Sequence, residues 1–146
     1  MRRHALPNAW LKMVRMLRDT RGVAAVEFAF AFPILILLLV GTLDIGRALW
    51  TTSTLDHAAR EGARYASLRG AESRYPASDA EIQAFVRNRA IGIDSSDLTV
   101  SVAWAPNRHS GGYVTIQVAR PFGFLLTGFL DLSPVELTGE STMTVL

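Results

Sequence analysis

Apolar residues fill positions 23–43 almost without interruption, and Glu27 is the only charged residue among these 21. As a helix rising about 1.5 Å per residue the run spans roughly 31 Å, against a hydrocarbon core of about 30 Å. A transmembrane helix over 23–43 is therefore predicted. A buried core helix fits less well, since a small domain rarely carries so long an all-round apolar run. A cleaved secretory signal would have a shorter apolar region, about 7–15 residues, closed by an A-x-A-like site. Here Leu43-Asp44-Ile45-Gly46-Arg47 follows, so the segment is expected to persist as an anchor. Pro33 has no N–H and crowds the carbonyl of Ala29, which predicts a bend near that point.

Beyond Leu43 the pattern turns amphipathic without a break. Ile45, Ala48, Leu49, Leu55, Ala58, Ala59, Gly62, Ala63 and Ala66 recur at helical spacing. No proline lies between Pro33 and Pro76, so one helix is expected to run on to about Leu68, making 44–69 an extension of the membrane segment. Asp44 with Arg47, and Asp56 with Arg60, stand one turn apart and are candidate ion pairs. The face carrying Ala58, Gly62 and Ala66 permits close approach of another helix or a sheet. Packing beneath a head domain is the expected use of that face.

Gly70 to Pro76 ends the helix. Ser78-Asp79-Ala80-Glu81 has the form of a capping box, and Ile82, Phe85, Val86, Ala90 and Ile93 follow at helical spacing. A short helix over about 79–91 is expected. Three strands then read by alternation. Leu98, Val100, Val102 and Trp104 share one face, as do Val114, Ile116 and Val118, while Val135, Leu137, Ser141, Met143 and Val145 form the third set. Gly139 interrupts this last set and suggests a bulge. Pro106–Gly112 is the expected hairpin turn between the first two strands. The fold class is thus α+β: a long N-terminal transmembrane helix continuing into a rod, then a small head over 77–146 of one helix and about three antiparallel strands. The apolar stretch Phe122–Leu132 is too short to cross a bilayer. Core packing is its expected role, with a surface meeting a partner or the outer membrane leaflet as the other reading.

Charge sharpens the membrane reading. The overall balance is +2. Arg2, Arg3, Lys12, Arg15, Arg18 and Arg21 precede the apolar run against Asp19 alone, whereas the chain after Gly22 carries more acids than bases. A basic flank before a mildly acidic body is not the footprint of a nucleic-acid binder, whose positive charge would lie on the folded domain. It matches the positive-inside rule, which puts the leader 1–22 in the cytoplasm and everything after residue 43 outside it. The chain has no cysteine, which excludes disulfides and thiol chemistry.

At the border between leader and apolar run stands Arg21-Gly22-Val23-Ala24-Ala25-Val26-Glu27-Phe28, of the form G-x-x-x-x-E-F. This resembles the type IV prepilin processing signal, in which a membrane-embedded peptidase cuts after the glycine and leaves glutamate as fifth residue of the mature chain. Glycine lets a backbone enter a protease cleft without a side-chain clash. Cleavage before Val23 would create an amino group one helical turn from Glu27, able to neutralise that carboxylate on the same or a neighbouring subunit. A flexible joint before an uncleaved anchor is the other reading of Gly22, and a glutamate reaching for the interface the other reading of Glu27.

Taken with Phe28-Ala29-Phe30-Ala31-Phe32-Pro33, then Asp44-Ile45-Gly46-Arg47 and Ala58-Ala59-Arg60-Glu61-Gly62-Ala63-Arg64, the site is similar to the TadE-like family of pilus-assembly proteins over about residues 21–65. Many relatives have glutamate where this chain has Asp44. The resemblance implies a pseudopilin or minor pilin of the tight-adherence (Flp-type) type IV pilus system, anchored in a bacterial inner membrane with its C-terminal domain periplasmic. It implies Gly22 and Val23 as the processing site and Glu27, with Phe28, as the helix-pairing element. The implied partners are the prepilin peptidase, other pilins or pseudopilins and the assembly platform.

Catalytic chemistry has no signature here. His4, His57 and His109 are scattered, without the i,i+4 partner of a metal site. Asp56 and His57 are adjacent and so diverge on a helix surface. There is no phosphate loop, G-x-S-x-G or Ca²⁺ loop. No metal, cofactor, nucleic acid or small-molecule substrate is therefore expected, and no enzymatic activity. An uncleaved inner-membrane scaffold of the assembly machinery is the alternative to a processed pilin. A membrane-tethered periplasmic enzyme or binding protein is the third reading.

Overall fold

The computed structural model describes residues 20–127, 131 and 133–146. Most of the basic leader, His4 included, and Gly128, Phe129, Leu130 and Leu132 of the apolar stretch lie outside the described residues. The element order is helix α1 (Thr20–Ser67), helix α2 (Asp79–Arg89), a 3-10 turn (Ser95–Asp97), and strands β1 (Thr99–Ala105), β2 (Tyr113–Phe122) and β3 (Val135–Thr144). This is the α+β arrangement of a long apolar helix followed by a small head of one helix and three antiparallel strands. By contacts the chain divides into one compact unit ending at Val40 and a second covering Gly41–Leu146.

In the first unit the helix runs through Pro33 without interruption. Its side chains from Val23 to Leu39 are exposed, with Phe30 at 76% and Leu38 at 64% of full accessibility. A surface of this composition is not tolerated by water and meets the length and hydropathy criteria of a candidate membrane span.

In the second unit α1 has an alanine-rich buried face. Leu55, Ala58, Ala59, Ala63 and Ala66 are fully buried against Ile82 and Val86 of α2 and against Val100, Val114, Ile116, Val118 and Val145. Small side chains let the backbones approach closely. A Cβ on Gly62 would collide with Val86 Cγ2 and lie 3.4 Å from Ile116 Cγ2. The Ala58–Gly62–Ala66 face is thus the floor of the head's core. Burial of each large aliphatic residue here contributes about 1.5–3 kcal/mol.

The sheet has order β1-β2-β3, antiparallel throughout. Val102 stands opposite Ile116, and Ile116 opposite Ser141. The inner face carries Val100, Val114, Ile116 and Val118, while Thr99, Ser101, Gln117, Glu140 and Thr142 face water, as expected of an antiparallel sheet covered on one side. The register of β2 with β3 is unbroken from Tyr113↔Thr144 to Phe122↔Val135, so Gly139 forms no bulge. It is buried on the inner face, where a Cβ would come within 2.5 Å of Asp56 N and Leu55 C. The glycine serves a close approach of helix backbone to sheet, not a kink.

Strand β2 also extends past Val118, through Ala119, Arg120 and Pro121 to Phe122. β1 begins at Thr99 opposite Ala119, so the β1-side edge of β2 is unpaired at Pro121 and tolerates a residue without an N–H.

Helix α2 begins as the sequence predicts and ends at Arg89, two residues short of the expected boundary. Ser78 Oγ accepts from Glu81 N, and Glu81 Oε2 accepts from Ser78 N at 2.8 Å. The Ser78 backbone N–H and then its hydroxyl, both donating to Glu81 Oε2, hold the Glu81 carboxyl below the usual glutamate range by favouring its ionised form. The Asp94 carboxyl is lowered in the same way by the backbone N–H and then the hydroxyl of Ser96. Tyr65 of α1 stacks on Phe85 with ring centroids 4.2 Å apart. Arg108 ties the hairpin to α2, donating to Asp79 Oδ1 at 2.9 Å and to the Ala77 carbonyl at 3.0 Å while lying over the Trp104 ring.

Candidate functional site

Gly22, Val23, Glu27 and Phe28, the residues that the sequence offers as a processing and pairing motif, lie in the first unit, along one stretch of α1. Gly22 and Val23 lie at the start of the described part of α1, and nothing lies within 4 Å of the place a Cβ on Gly22 would occupy.

Val23 and Glu27 stand at i and i+4, on one side of the helix a single turn apart. Glu27 is exposed, with no hydrogen-bond or ionic partner among the described residues. Phe28 is 62% accessible and its ring lies 5.4 Å, centroid to centroid, from that of Phe32. The structure therefore presents one carboxylate amid phenylalanine, leucine and isoleucine side chains that none of the described residues covers. Such a surface can be satisfied by lipid or by other apolar helices, and the carboxylate only by a cation or donor brought to it.

A second acid, Asp44, lies in the second unit and is treated in the opposite manner. It is 5% exposed. Oδ1 accepts from Arg47 Nη1 at 2.7 Å, and Oδ2 accepts from the backbone N–H of Leu125 at 2.9 Å. The Arg47 guanidinium also lies over the Phe122 ring, 5.1 Å from its centroid. Asp44 and Arg47 thus clamp the start of the apolar stretch to α1. The expected Asp44–Arg47 pair is present, whereas Asp56 and Arg60 form no ion pair. Of the apolar stretch, Phe122 is in the core while Leu125 is half exposed. The clamp's third member, Leu125 N–H, has no signal in the sequence, because a backbone donor carries none and the two positions are 81 residues apart.

The remaining polar candidates are not gathered. His57 is exposed on α1, and His109 Nδ1 lies 3.1 Å from Glu72 Oε1 at the surface. Among the described residues no three histidine, aspartate or glutamate side chains cluster as metal ligands.

Comparison with protein families matches residues 22–64 to TadE-like protein. The match begins at Gly22, includes Glu27, Asp44, Arg47 and Gly62, and covers under a third of the chain, with all of the strands beyond it. The resemblance read from the motifs holds over that segment. No curated protein and no solved structure matches the chain.

Proposed function

We propose that this chain is a pseudopilin or minor pilin of a tight-adherence type IV pilus, cut after Gly22 and packed through its apolar helix. The observation that carries the reading is the pairing motif on an uncovered helix. Glu27 has no partner among the described residues, sits one turn from the peptide bond after Gly22, and is flanked by exposed Phe28, Phe30 and Phe32. The family match over the same residues supports it. Cleavage would place the Val23 ammonium within reach of a neighbouring Glu27 as helices pack, which offsets the cost of a carboxylate in an apolar bundle. The role is structural: the helix supplies the packing surface, the basic leader stays cytoplasmic, and the head lies in the periplasm. The partners are the prepilin peptidase, other pilins and the assembly platform in the inner membrane.

The test is the intact mass and N-terminal sequence of the protein from membranes of its native host, with and without the prepilin peptidase. A mature N-terminus at Val23 that requires the peptidase is the expected result. A chain beginning at Met1 in both strains would make an uncleaved inner-membrane scaffold the better reading.

A further inference from the structure

A small pocket of about 190 Å³ lies in the second unit, lined by Arg47, Trp50, Arg120, Pro121, Phe122 and Gly123 among others. Two guanidinium groups on one small cavity are unusual, because like charges repel unless an anion stands between them. Their partners within the chain occupy them only in part. Arg47 uses Nη1 on Asp44, and Arg120 Nη2 reaches Asp97 Oδ2 at 3.4 Å, a long contact with a half-exposed carboxylate. Arg120 Nε is buried and has no hydrogen-bond partner among the described residues. A buried N–H on a cation calls for an acceptor, and the planar guanidinium fork matches phosphate and carboxylate oxygens.

The position of the pocket selects among anions. Arg47 follows Leu43, the last residue of the apolar run, by one helical turn, roughly 6 Å along the axis. The headgroup layer outside the hydrocarbon is about 5–8 Å thick on each side, so the Arg47 level on α1 corresponds to headgroups. Trp50, lining the same pocket and half exposed, is of the residue type that settles at that level.

We propose that the Arg47–Arg120 pocket binds the phosphate of an anionic phospholipid. The inference rests on the reading of 23–43 as a membrane span. Three variants test it without disturbing the core. Gly123 has nothing within 4 Å of the place a Cβ would occupy, so Gly123→Glu sets a carboxylate beside the pocket in open space, and Gly123→Gln is its neutral counterpart. Arg120→Gln removes one guanidinium directly.

The full-length protein in detergent micelles is titrated with phosphatidylglycerol and, separately, with inorganic phosphate, and bound lipid is counted by native mass spectrometry. Wild type and Gly123→Gln should retain the lipid, while Gly123→Glu and Arg120→Gln bind it about tenfold more weakly, as loss of a charge-assisted contact implies. Equal retention by all four folded proteins would overturn the proposal. Competition by inorganic phosphate without lipid retention would overturn the lipid and leave a phosphate site. Alkaline carbonate extraction of native membranes reports separately on the span: release of the wild-type chain there would refute the anchor whatever the pocket binds.

Discussion

The carboxylate of Asp44 accepts the backbone N–H of Leu125, joining α1 to the apolar stretch after β2 across 81 residues of sequence. It also receives Arg47, so one buried acid satisfies a main-chain donor and a guanidinium together. Asp44→Ala leaves both without an acceptor. The expected loss is about 1.5–3 kcal/mol of stability in the unit Gly41–Leu146, the range for hydrogen bonds made to a charged group. Asp44→Asn keeps one amide oxygen for Leu125 and should cost less. Denaturant unfolding of the full chain in detergent, followed by tryptophan fluorescence, orders the three proteins. Asp44→Ala indistinguishable from wild type would show that the clamp adds nothing.

The glycines of the second unit divide by what surrounds them. A methyl on Gly139 would run into the main chain at Leu55 and Asp56, which cannot move without shifting α1. Gly139→Ala should therefore destabilise by about 1–3 kcal/mol or more through overpacking. Gly62→Ala meets chiefly a valine methyl of α2, which can give, and should cost less than Gly139→Ala. Gly46, with nothing within 4 Å, lies in the exposed part of α1, and Gly46→Ala should stabilise by about 0.5–1 kcal/mol through helix propensity. Melting temperatures of the three variants check the order, and a neutral Gly139→Ala would contradict the close approach.

These residues also show where sequence is informative. Alternation in Val114–Val118 and the Ser78–Glu81 box are local signals, and each produced its element at the expected place. The small face of Ala58, Gly62 and Ala66 announced a close packing surface because only size, not partner, had to be read. Gly139 misled because a bulge and a close approach both select glycine, and only the unbroken register decides between them. The end of β2 was hidden by Pro121, whose tolerance depends on where the neighbouring strand stops. The clamp at Asp44 needed a backbone donor far away in sequence. Gly22 and Glu27 stand close together in sequence within the segment that matches the family, while the pocket of Arg47 and Arg120 depends on the tertiary fold and has no local signal.

The capping box has a pH signature. Glu81 accepts two hydrogen bonds from Ser78, backbone N–H first and hydroxyl second, and its pKa is lowered in the folded state. A group depressed on folding contributes stability that is fully present above its unfolded pKa and is lost as pH falls through the lower folded value. The start of α2 should thus weaken in acid, below the usual glutamate range. Glu81→Gln should remove this part of the pH dependence while leaving that of Asp94. Amide exchange of α2 measured against pH for both proteins is the check, and an identical acid slope in the variant would show that Glu81 does not contribute it.

Glu27 and Asp44 are both acids on α1, one uncovered and one saturated, and the contrast predicts different mutant behaviour. Asp44 is satisfied inside the chain, so its loss acts on stability. Glu27 has no such partner among the described residues, so its loss should act between chains. In an apolar bundle an unpaired carboxylate is costly, and a neighbour's ammonium one turn from the packing surface offsets that cost only when the helices stand in the correct stagger. Glu27→Ala removes the reward for correct stagger without touching the peptide bond after Gly22. Assembly should therefore fall several-fold while the cleaved fraction changes little. Sheared surface filaments and the cleaved-to-uncleaved ratio, read from the same cells by immunoblot, measure the two effects separately. Undiminished filament output would remove the pairing role, and a parallel collapse of cleavage would assign Glu27 to peptidase recognition instead.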